Sequence, residues 1–329
     1  MKIAVLGAGA WGTALAMQIS QRHQVSLWAR STAHVSGMRN VRANPRYLGD
    51  FKFNDQLSVE SDLSIALEKA DFILSVVPTA GFRAILHDIK QLGVRLPVIW
   101  ANKGLEPSTA KLPHEVALEE LGAEQAWGAL SGPSFAAELV RGLPTAVTLA
   151  ANDAAFATQA GAAMHGGNFR VYTSQDVAGV AVGGALKNVM AIAAGISDGM
   201  EFGNNARAAL ITRGLAEMTR FGLALGGQKE TFMGLAGAGD LILTCTGQYS
   251  RNREVGLQLA TGKPLAEILQ NLGHVAEGVH TAREVVKRAA DLGVDMPITY
   301  EVDQVLSYGK SAREAVMDLL SREQKPEGV

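Results

Sequence analysis

Short, nearly all-apolar runs alternate with helical patterns through the first half of the chain. Ile3 to Leu6, Gln24 to Trp28, Phe72 to Val77, Val98 to Ala101 and Ala146 to Leu149 are brief and rich in β-branched residues. Strands covered on both faces read this way, because neither face has to present polar groups to water. The segments between them, such as Asp62 to Lys69 and Gly81 to Leu92, carry helical spacing. This alternation predicts a parallel sheet with crossover helices.

Beyond about Ser174 the strand signals stop. Helical patterns follow at Val177 to Ile196, Arg207 to Leu225, Arg251 to Ala260, Leu265 to Leu272, His280 to Leu292, Ile298 to Tyr308 and Ala312 to Ser321. Gly262, Gly273 and Gly293 stand where helices should end, and Pro264 and Pro297 where new ones should begin. Two domains are expected, an α/β domain over 1–175 and an all-α domain over 176–329. Lys325 to Val329 reads as a frayed polar tail.

Composition narrows the classes of function. A chain of 329 residues with 47% apolar content can bury a sizeable core. With 30 basic and 32 acidic residues and no long run of one sign, nucleic acid is not an expected partner, whereas a small anion needs only local positive charge. Cys245 is the single cysteine, so no internal disulfide or thiolate metal cluster can form. That fits a reducing compartment, and a cytoplasmic protein is the expectation. Lys2 followed by an apolar run and Ala14, Leu15 and Ala16 resembles a signal peptide, but Gly7, Gly9 and Gly12 interrupt it. No membrane span is expected, since even Val177 to Ile196 contains Lys187 and four glycines.

The same three glycines carry the first chemistry. Lys2 to Leu6 is a buried strand leading directly into the G-x-G-x-x-G of Gly7 to Gly12, and Thr13 to Ser20 continues as a small-residue helix. In that setting Gly7 allows the tight turn, Gly9 lets a pyrophosphate approach the backbone, and Gly12 lets helix and strand pack closely. The helix N-terminus offers free N–H groups and partial positive charge to the phosphates. The predicted architecture is thus a Rossmann-type dinucleotide-binding domain followed by a helical substrate domain. An NAD-specific second strand would end in Asp or Glu, but this one ends Leu27-Trp28-Ala29-Arg30. Arg30 suits the 2'-phosphate of NADP, with Ser31 and His34 as helpers, or else is a solvated surface arginine.

In the helical half, Lys187 lies in an apolar, small-residue stretch and would lean back over Gly183 and Gly184, leaving room for a ligand beside its amine. A partly desolvated ammonium has a lowered pKa, suited to protonating a carbonyl oxygen as hydride arrives. The alternative is a lysine snorkelling out of a buried helix. Asp240 follows a glycine-rich segment, Gly234 to Gly239, expected to be flexible, and is placed to pair with Lys187. Ser250, Arg251 and Asn252 open a helix and form a phosphate site, or else Ser250 is only an N-cap with Arg251 and Arg253 solvated. Cys245 reads as a small buried residue. No metal site is expected: His114-Glu115 begins like a zinc helix, but Leu118 stands where the second histidine belongs. Ser131 to Ser134 lacks the G-x-S-x-G of a nucleophile elbow.

Six ordered segments resemble the bacterial-type NAD(P)-dependent glycerol-3-phosphate dehydrogenases. They are Gly7 to Ala16, Asn102 to Glu106, Leu130 to Ala136, Gly184 to Asn188, Gly239 to Leu241 and Ser250 to Asn252. The resemblance implies a helical domain like that of 6-phosphogluconate dehydrogenase. It implies reversible, NAD(P)-dependent reduction of dihydroxyacetone phosphate to sn-glycerol 3-phosphate for phospholipid synthesis; Arg30 tilts the cofactor toward NADP, with NAD also accepted. Catalytic roles fall on Lys187, Asp240 and Lys103, with Lys187 as proton donor and acceptor. The resemblance places Lys103, Gly132, Ser134, Lys187, Asp240, Ser250, Arg251 and Asn252 around the substrate. Beside Gly7, Gly9 and Gly12 of the turn, it places Ala10, Trp11, Arg30, Tyr47, Lys103, Ala136, Arg251, Val275 and Glu277 around the cofactor. Ala10 stands where many relatives carry serine, and Asn102 where threonine is common. The helical domain suggests a homodimer. Two other readings stay open at this level: a hydroxy-acid dehydrogenase of related architecture, and an NADP-binding redox sensor without turnover.

Overall fold

The computed structural model describes residues 1–272 and 276–323. The helix end expected at Gly273, the cofactor residue Val275 and the tail from Lys325 to Val329 lie outside the described residues. The chain forms two compact units. The first comprises Met1–Asn102 and Pro113–Val177; the second comprises Lys103–Leu112 and the chain from Ala178 onward.

The first unit is built on an eight-stranded sheet: β1 (Lys2–Leu6), β2 (Gln24–Trp28), β3 (Leu57–Glu60), β4 (Phe72–Ser75), β5 (Val98–Trp100), β6 (Trp127–Ser131), β7 (Thr145–Ala151) and β8 (Phe169–Ser174). The strand order is β3-β2-β1-β4-β5-β6-β7-β8. All neighbours are parallel except β6 and β7, which run antiparallel. Its helices are α1 (Ala10–Ile19), α2 (Thr32–Val41), α3 (Pro45–Leu48), α4 (Leu63–Leu67), α5 (Phe82–Gln91), α6 (Pro113–Leu121), α7 (Ala136–Val140) and α8 (Ala154–Met164). Ile3, Val5, Leu15, Ile19, Leu27, Leu74 and Ile99 join the strands and α1 in one core. Each such side chain contributes about 1.5–3 kcal/mol when fully buried.

Three strands have no counterpart in the expected pattern. β3 and β8 alternate buried and exposed positions at the two ends of the sheet, so they lack the continuous apolar run of the central strands. β6 is fully buried but contains Gly128, where a Cβ would lie 2.4 Å from the Ala150 carbonyl oxygen on β7. Glycine there reflects a close backbone approach rather than a turn. The reversed direction of β7 is likewise new, because an apolar run carries no sign of direction.

The second unit is helical: α9 (Val177–Gly199), α10 (Gly203–Ala224), α11 (Lys229–Met233), a π-helical turn (Leu235–Gly239), α12 (Asp240–Thr246), α13 (Arg251–Ala260), α14 (Leu265–Leu272), α15 (Glu277–Leu292), α16 (Pro297–Tyr308) and α17 (Ala312–Leu320). α9 has a mean hydropathy of 1.6 over its most apolar window, enough by composition to cross a membrane, but 89% of that window is buried within the protein. Leu186, Val189 and Ile192 of α9 pack in one core with Met218, Phe221, Phe232, Leu241, Val255 and Val285.

Glycines set how closely α9 is approached. A Cβ at Gly195 would lie 2.0 Å from the Arg253 carbonyl oxygen, and one at Gly256 would lie 2.1 Å from that of Ile192. α9 and α13 therefore touch backbone to backbone. On α10, Glu217 is 2% exposed and accepts hydrogen bonds from the Ile298 N–H (2.7 Å), the Thr299 N–H (3.2 Å) and the Thr299 hydroxyl (3.2 Å). It thereby caps α16 from another helix. Burial pushes its carboxyl up from 4.5 to about 7 against the pull of those donors.

Candidate active site

The helical unit gathers Lys103, Lys187 and Asp240 into one cluster. Lys187 on α9 donates from Nζ to Asp240 Oδ1 (2.6 Å) and to Thr244 Oγ1 (2.8 Å). Lys103 donates to the other oxygen, Asp240 Oδ2 (2.6 Å). Thr244 lies one turn after Asp240 on α12, and its hydroxyl donates back to the Asp240 carbonyl at 2.6 Å. Asp240 is 1% exposed and Lys187 8%. Burial pulls the Lys187 ammonium down from 10.5 to about 8; Asp240 opposes the fall and Lys103 adds to it. Burial alone would raise the Asp240 carboxyl, but Lys103 and Lys187 together hold it below its ordinary value.

Backbone geometry explains why this cluster forms. The segment before Asp240, expected to be flexible, is a wound π-helical turn that continues into α12. The room expected beside Lys187 at Gly183 is taken by that turn, since a Cβ at Gly183 would lie 2.4 Å from the Ala236 carbonyl oxygen. Gly183 thus admits a neighbouring backbone rather than a ligand, and that approach brings Asp240 to Lys187. An ammonium has three protons to donate. Among the described residues, Lys187 Nζ directs two of them at Asp240 and Thr244, and the Lys103 amine also lies against it.

Beside this cluster, Asn188 Nδ2 donates to the Lys103 carbonyl (3.1 Å), and Asn252 Nδ2 donates to Asn188 Oδ1 (3.0 Å). The Gly278 N–H then donates to Asn252 Oδ1 (3.0 Å). Asn252 is 8% exposed and links α9, α13 and α15. Ser250 is the N-cap of α13, its Oγ accepting from the Arg253 N–H (3.2 Å). Arg251 is exposed at the first position of that helix. Arg253 is not solvated. Its guanidinium pairs with Asp198 Oδ2 at 2.6 Å, and Arg207 Nε reaches Oδ1 of the same carboxylate at 2.6 Å. Glu277 opens α15. Cys245 is fully buried on α12, its thiol pushed up by burial to about 12.

The glycine turn is in the first unit. Gly7 has φ +115°, and a Cβ there would lie 2.7 Å from the Val76 carbonyl oxygen; a Cβ at Gly12 would lie 1.9 Å from the Gly7 carbonyl oxygen. Gly9 differs, because a Cβ there would meet nothing within 4 Å. Open space at the N-cap of a helix with no side-chain cap, and no acidic residue in its first turn, is what a bound pyrophosphate requires. The first intrahelical donor is the Thr13 N–H, so the N–H groups of Ala10, Trp11 and Gly12 remain for an anion. These residues fit a dinucleotide.

α1, α3 and α7 pack on one another, which brings Ala10, Trp11, Tyr47 and Ala136 to one side of the core. Asn44 is fully buried and donates to the Ala8 carbonyl (3.0 Å) and to Thr13 Oγ1 (2.8 Å), tying the segment before Tyr47 to the glycine turn. Arg30 is exposed, with no hydrogen bond or ion pair among the described residues. Ser31 caps α2, and His34 Nε2 meets Asn44 Oδ1 at 3.0 Å. Gly132 has φ +143° and accepts from the Ser134 hydroxyl (2.9 Å).

Asn44, Asn188 and Thr244 were not among the expected site residues. An Asn-Pro step at 44–45 marks a turn but not what the side chain binds. Thr244 stands four residues after Asp240, on the same helix face, which is the signal that identifies it.

A glycine-rich turn at the carboxyl edge of a parallel-dominated sheet, with a lysine–carboxylate cluster in a helical unit, defines a Rossmann-type oxidoreductase. Comparison with known proteins narrows this. Residues 2–157 match the family model for the N-terminus of NAD-dependent glycerol-3-phosphate dehydrogenase, and residues 176–317 match that for its C-terminus. The chain belongs to this family. It is 75% identical over 329 residues, all of both chains, to glycerol-3-phosphate dehydrogenase [NAD(P)+] of Methylobacillus flagellatus. The crystal structure of glycerol-3-phosphate dehydrogenase from Coxiella burnetii is 42% identical with a TM-score of 0.94, covering 98% of this chain and 99% of that one. A ketopantoate reductase from Ralstonia eutropha, 16% identical with a TM-score of 0.59 over 96% of this chain and all of that one, shares the fold alone.

Proposed function

We propose that this chain reversibly reduces dihydroxyacetone phosphate to sn-glycerol 3-phosphate, with NADPH preferred and NADH also accepted. The observation that carries this reading is the buried Lys187 ammonium, with a pKa near 8 and held by Asp240 and Thr244. When bound, the nicotinamide supplies the hydride. Lys187 donates a proton to the ketone oxygen and recovers it in the reverse direction. Asp240 fixes Lys187 and Lys103 on one carboxylate, so Lys103 adds a second positive charge near the developing alkoxide.

Ser250, Arg251 and Asn252 hold the substrate phosphate, and Gly132 and Ser134 also take part in substrate binding. Binding energy from this non-reacting group orients the ketone. Gly7, Gly9, Ala10, Trp11 and Gly12 hold the pyrophosphate. Arg30 takes the 2'-phosphate, and Tyr47, Lys103, Ala136, Arg251, Val275 and Glu277 complete the cofactor site. In this reading 1–175 is the nucleotide domain and 176–329 the catalytic one. The product feeds phospholipid synthesis in the cytoplasm.

The direct test is oxidation of NADPH, and then of NADH, with dihydroxyacetone phosphate against a panel of keto acids. Dihydroxyacetone phosphate is expected to be the efficient substrate. Lys187→Ala should slow turnover by about a hundredfold or more while cofactor still binds. Near-normal turnover in that variant refutes the assignment.

A further inference from the structure

Asn102 follows β5 by two residues and is the last residue of the first unit's leading segment. Both polar atoms of its side chain, Nδ2 and Oδ1, are shielded from solvent, and neither has a hydrogen-bond partner among the described residues. Buried polar groups are nearly always bonded, and leaving one unmade costs about 1–3 kcal/mol. A carboxamide with donor and acceptor both unmet is therefore expected to have a partner in the working protein.

Position in the sheet says which partner. Leu6 at the end of β1 is in register with Ser75 on β4, and Ser75 with Trp100 at the end of β5. The carboxyl ends of β1, β4 and β5 thus form one edge, with the glycine turn at β1 and Asn102 two strands away, on the order of 10 Å at the usual strand spacing. Ligands of open parallel sheets lie along that edge. Arg30 follows β2, on the opposite side of β1 from β4. A dinucleotide with its pyrophosphate on the turn and its adenosine toward Arg30 must run its other half over β4 and β5, toward Asn102.

We propose that Asn102 is a cofactor-binding residue whose carboxamide hydrogen-bonds the nicotinamide riboside half of the dinucleotide. The ring carboxamide and the ribose hydroxyls each present a donor and an acceptor, matching the two unmet atoms. This rests on the cofactor reading above and adds a residue to it.

The test is equilibrium binding without substrate. NADPH is titrated by its fluorescence, and adenosine 2',5'-bisphosphate, which lacks the nicotinamide half, by competition or calorimetry. Asn102→Ala should weaken NADPH about five- to tenfold, the scale of one or two lost hydrogen bonds, and leave the bisphosphate unchanged. Asn102→Asp, which keeps the shape but loses the donor, should show the same split if the alanine variant folds poorly. Unchanged NADPH binding overturns the proposal. Equal weakening of both ligands also overturns it, because the residue then supports the sheet rather than the nicotinamide. If the parent protein binds neither ligand, the cofactor reading itself fails.

Discussion

Replacing Asp240 by asparagine removes the one charge that both lysine ammoniums share and keeps the shape of the side chain. Each ammonium lies 2.6 Å from an Asp240 oxygen. An ion pair at about 4 Å is worth about 4 kcal/mol at an effective dielectric of 20, which is about three pKa units at 1.36 kcal/mol each. The amide oxygen retains one hydrogen bond, and the Lys103 charge still presses on Lys187. A fall of about two units is therefore expected, from about 8 in the parent to about 6. Ketone reduction needs the protonated lysine, so its rate in the parent should fall above about pH 8, while alcohol oxidation rises through the same pH. In Asp240→Asn both midpoints should move down together. The assay is initial rates in both directions from pH 5.5 to 9.5, repeated with deuterium at C4 of the reduced cofactor so that hydride transfer is known to be observed. A midpoint that stays put, or moves up, refutes the assignment of Lys187 as the titrating acid.

Arg30→Ala should weaken NADPH about ten- to a hundredfold, the worth of a charge-assisted pair, and leave NADH unchanged in a binding titration; equal affinity for NADPH in variant and parent refutes its 2'-phosphate role. Gly195→Ala places a methyl 2.0 Å from the Arg253 carbonyl oxygen, so α13 must shift from α9. Thermal and denaturant unfolding should show about 1–3 kcal/mol lost, with KM for dihydroxyacetone phosphate rising more than the Kd for NADPH. Glu217 has a folded pKa raised from 4.5 to about 7, so its contribution to stability is full below pH 4.5 and is lost as pH rises through 7. Glu217→Gln removes that dependence. Its unfolding free energy from urea titration, relative to the parent, should improve between pH 5 and 8 by up to about 3 kcal/mol, and a difference that does not vary with pH counts against the buried-carboxylate account.

Central, continuous elements were the most legible. The run Gln24 to Trp28 and the helices Arg251 to Ala260 and Leu265 to Leu272 have the bounds that the apolar pattern predicted. The edge strands β3 and β8 were not legible, because half of each faces water and alternation over four to six residues is weak against loop background. The run Gly234 to Gly239 looked flexible because glycine usually signals freedom. Here Gly237 is fixed by contact, a Cβ there lying 2.1 Å from the Phe232 carbonyl oxygen. Within the site, Lys187 was visible as a charge in an apolar helix, and Asp240 as its companion after the glycines. The joining of Lys103 to that pair was not, since 137 residues separate it from Asp240 and nothing local marks Lys103–Leu112 as part of the helical unit. Asn44 and Asn188 were missed for the same reason: their partners are distant backbone groups and side chains that only the fold supplies.

Two ammoniums on one buried carboxylate leave a single net positive charge, with the second cation held against the repulsion of the first. An arriving anion relieves that repulsion, so it must raise the affinity of Lys187 for its proton. Loading of the site and uptake of a proton from the buffer are then two sides of one equilibrium. Because burial brings the Lys187 ammonium down to about 8, an anion that binds beside it should favour its protonated form.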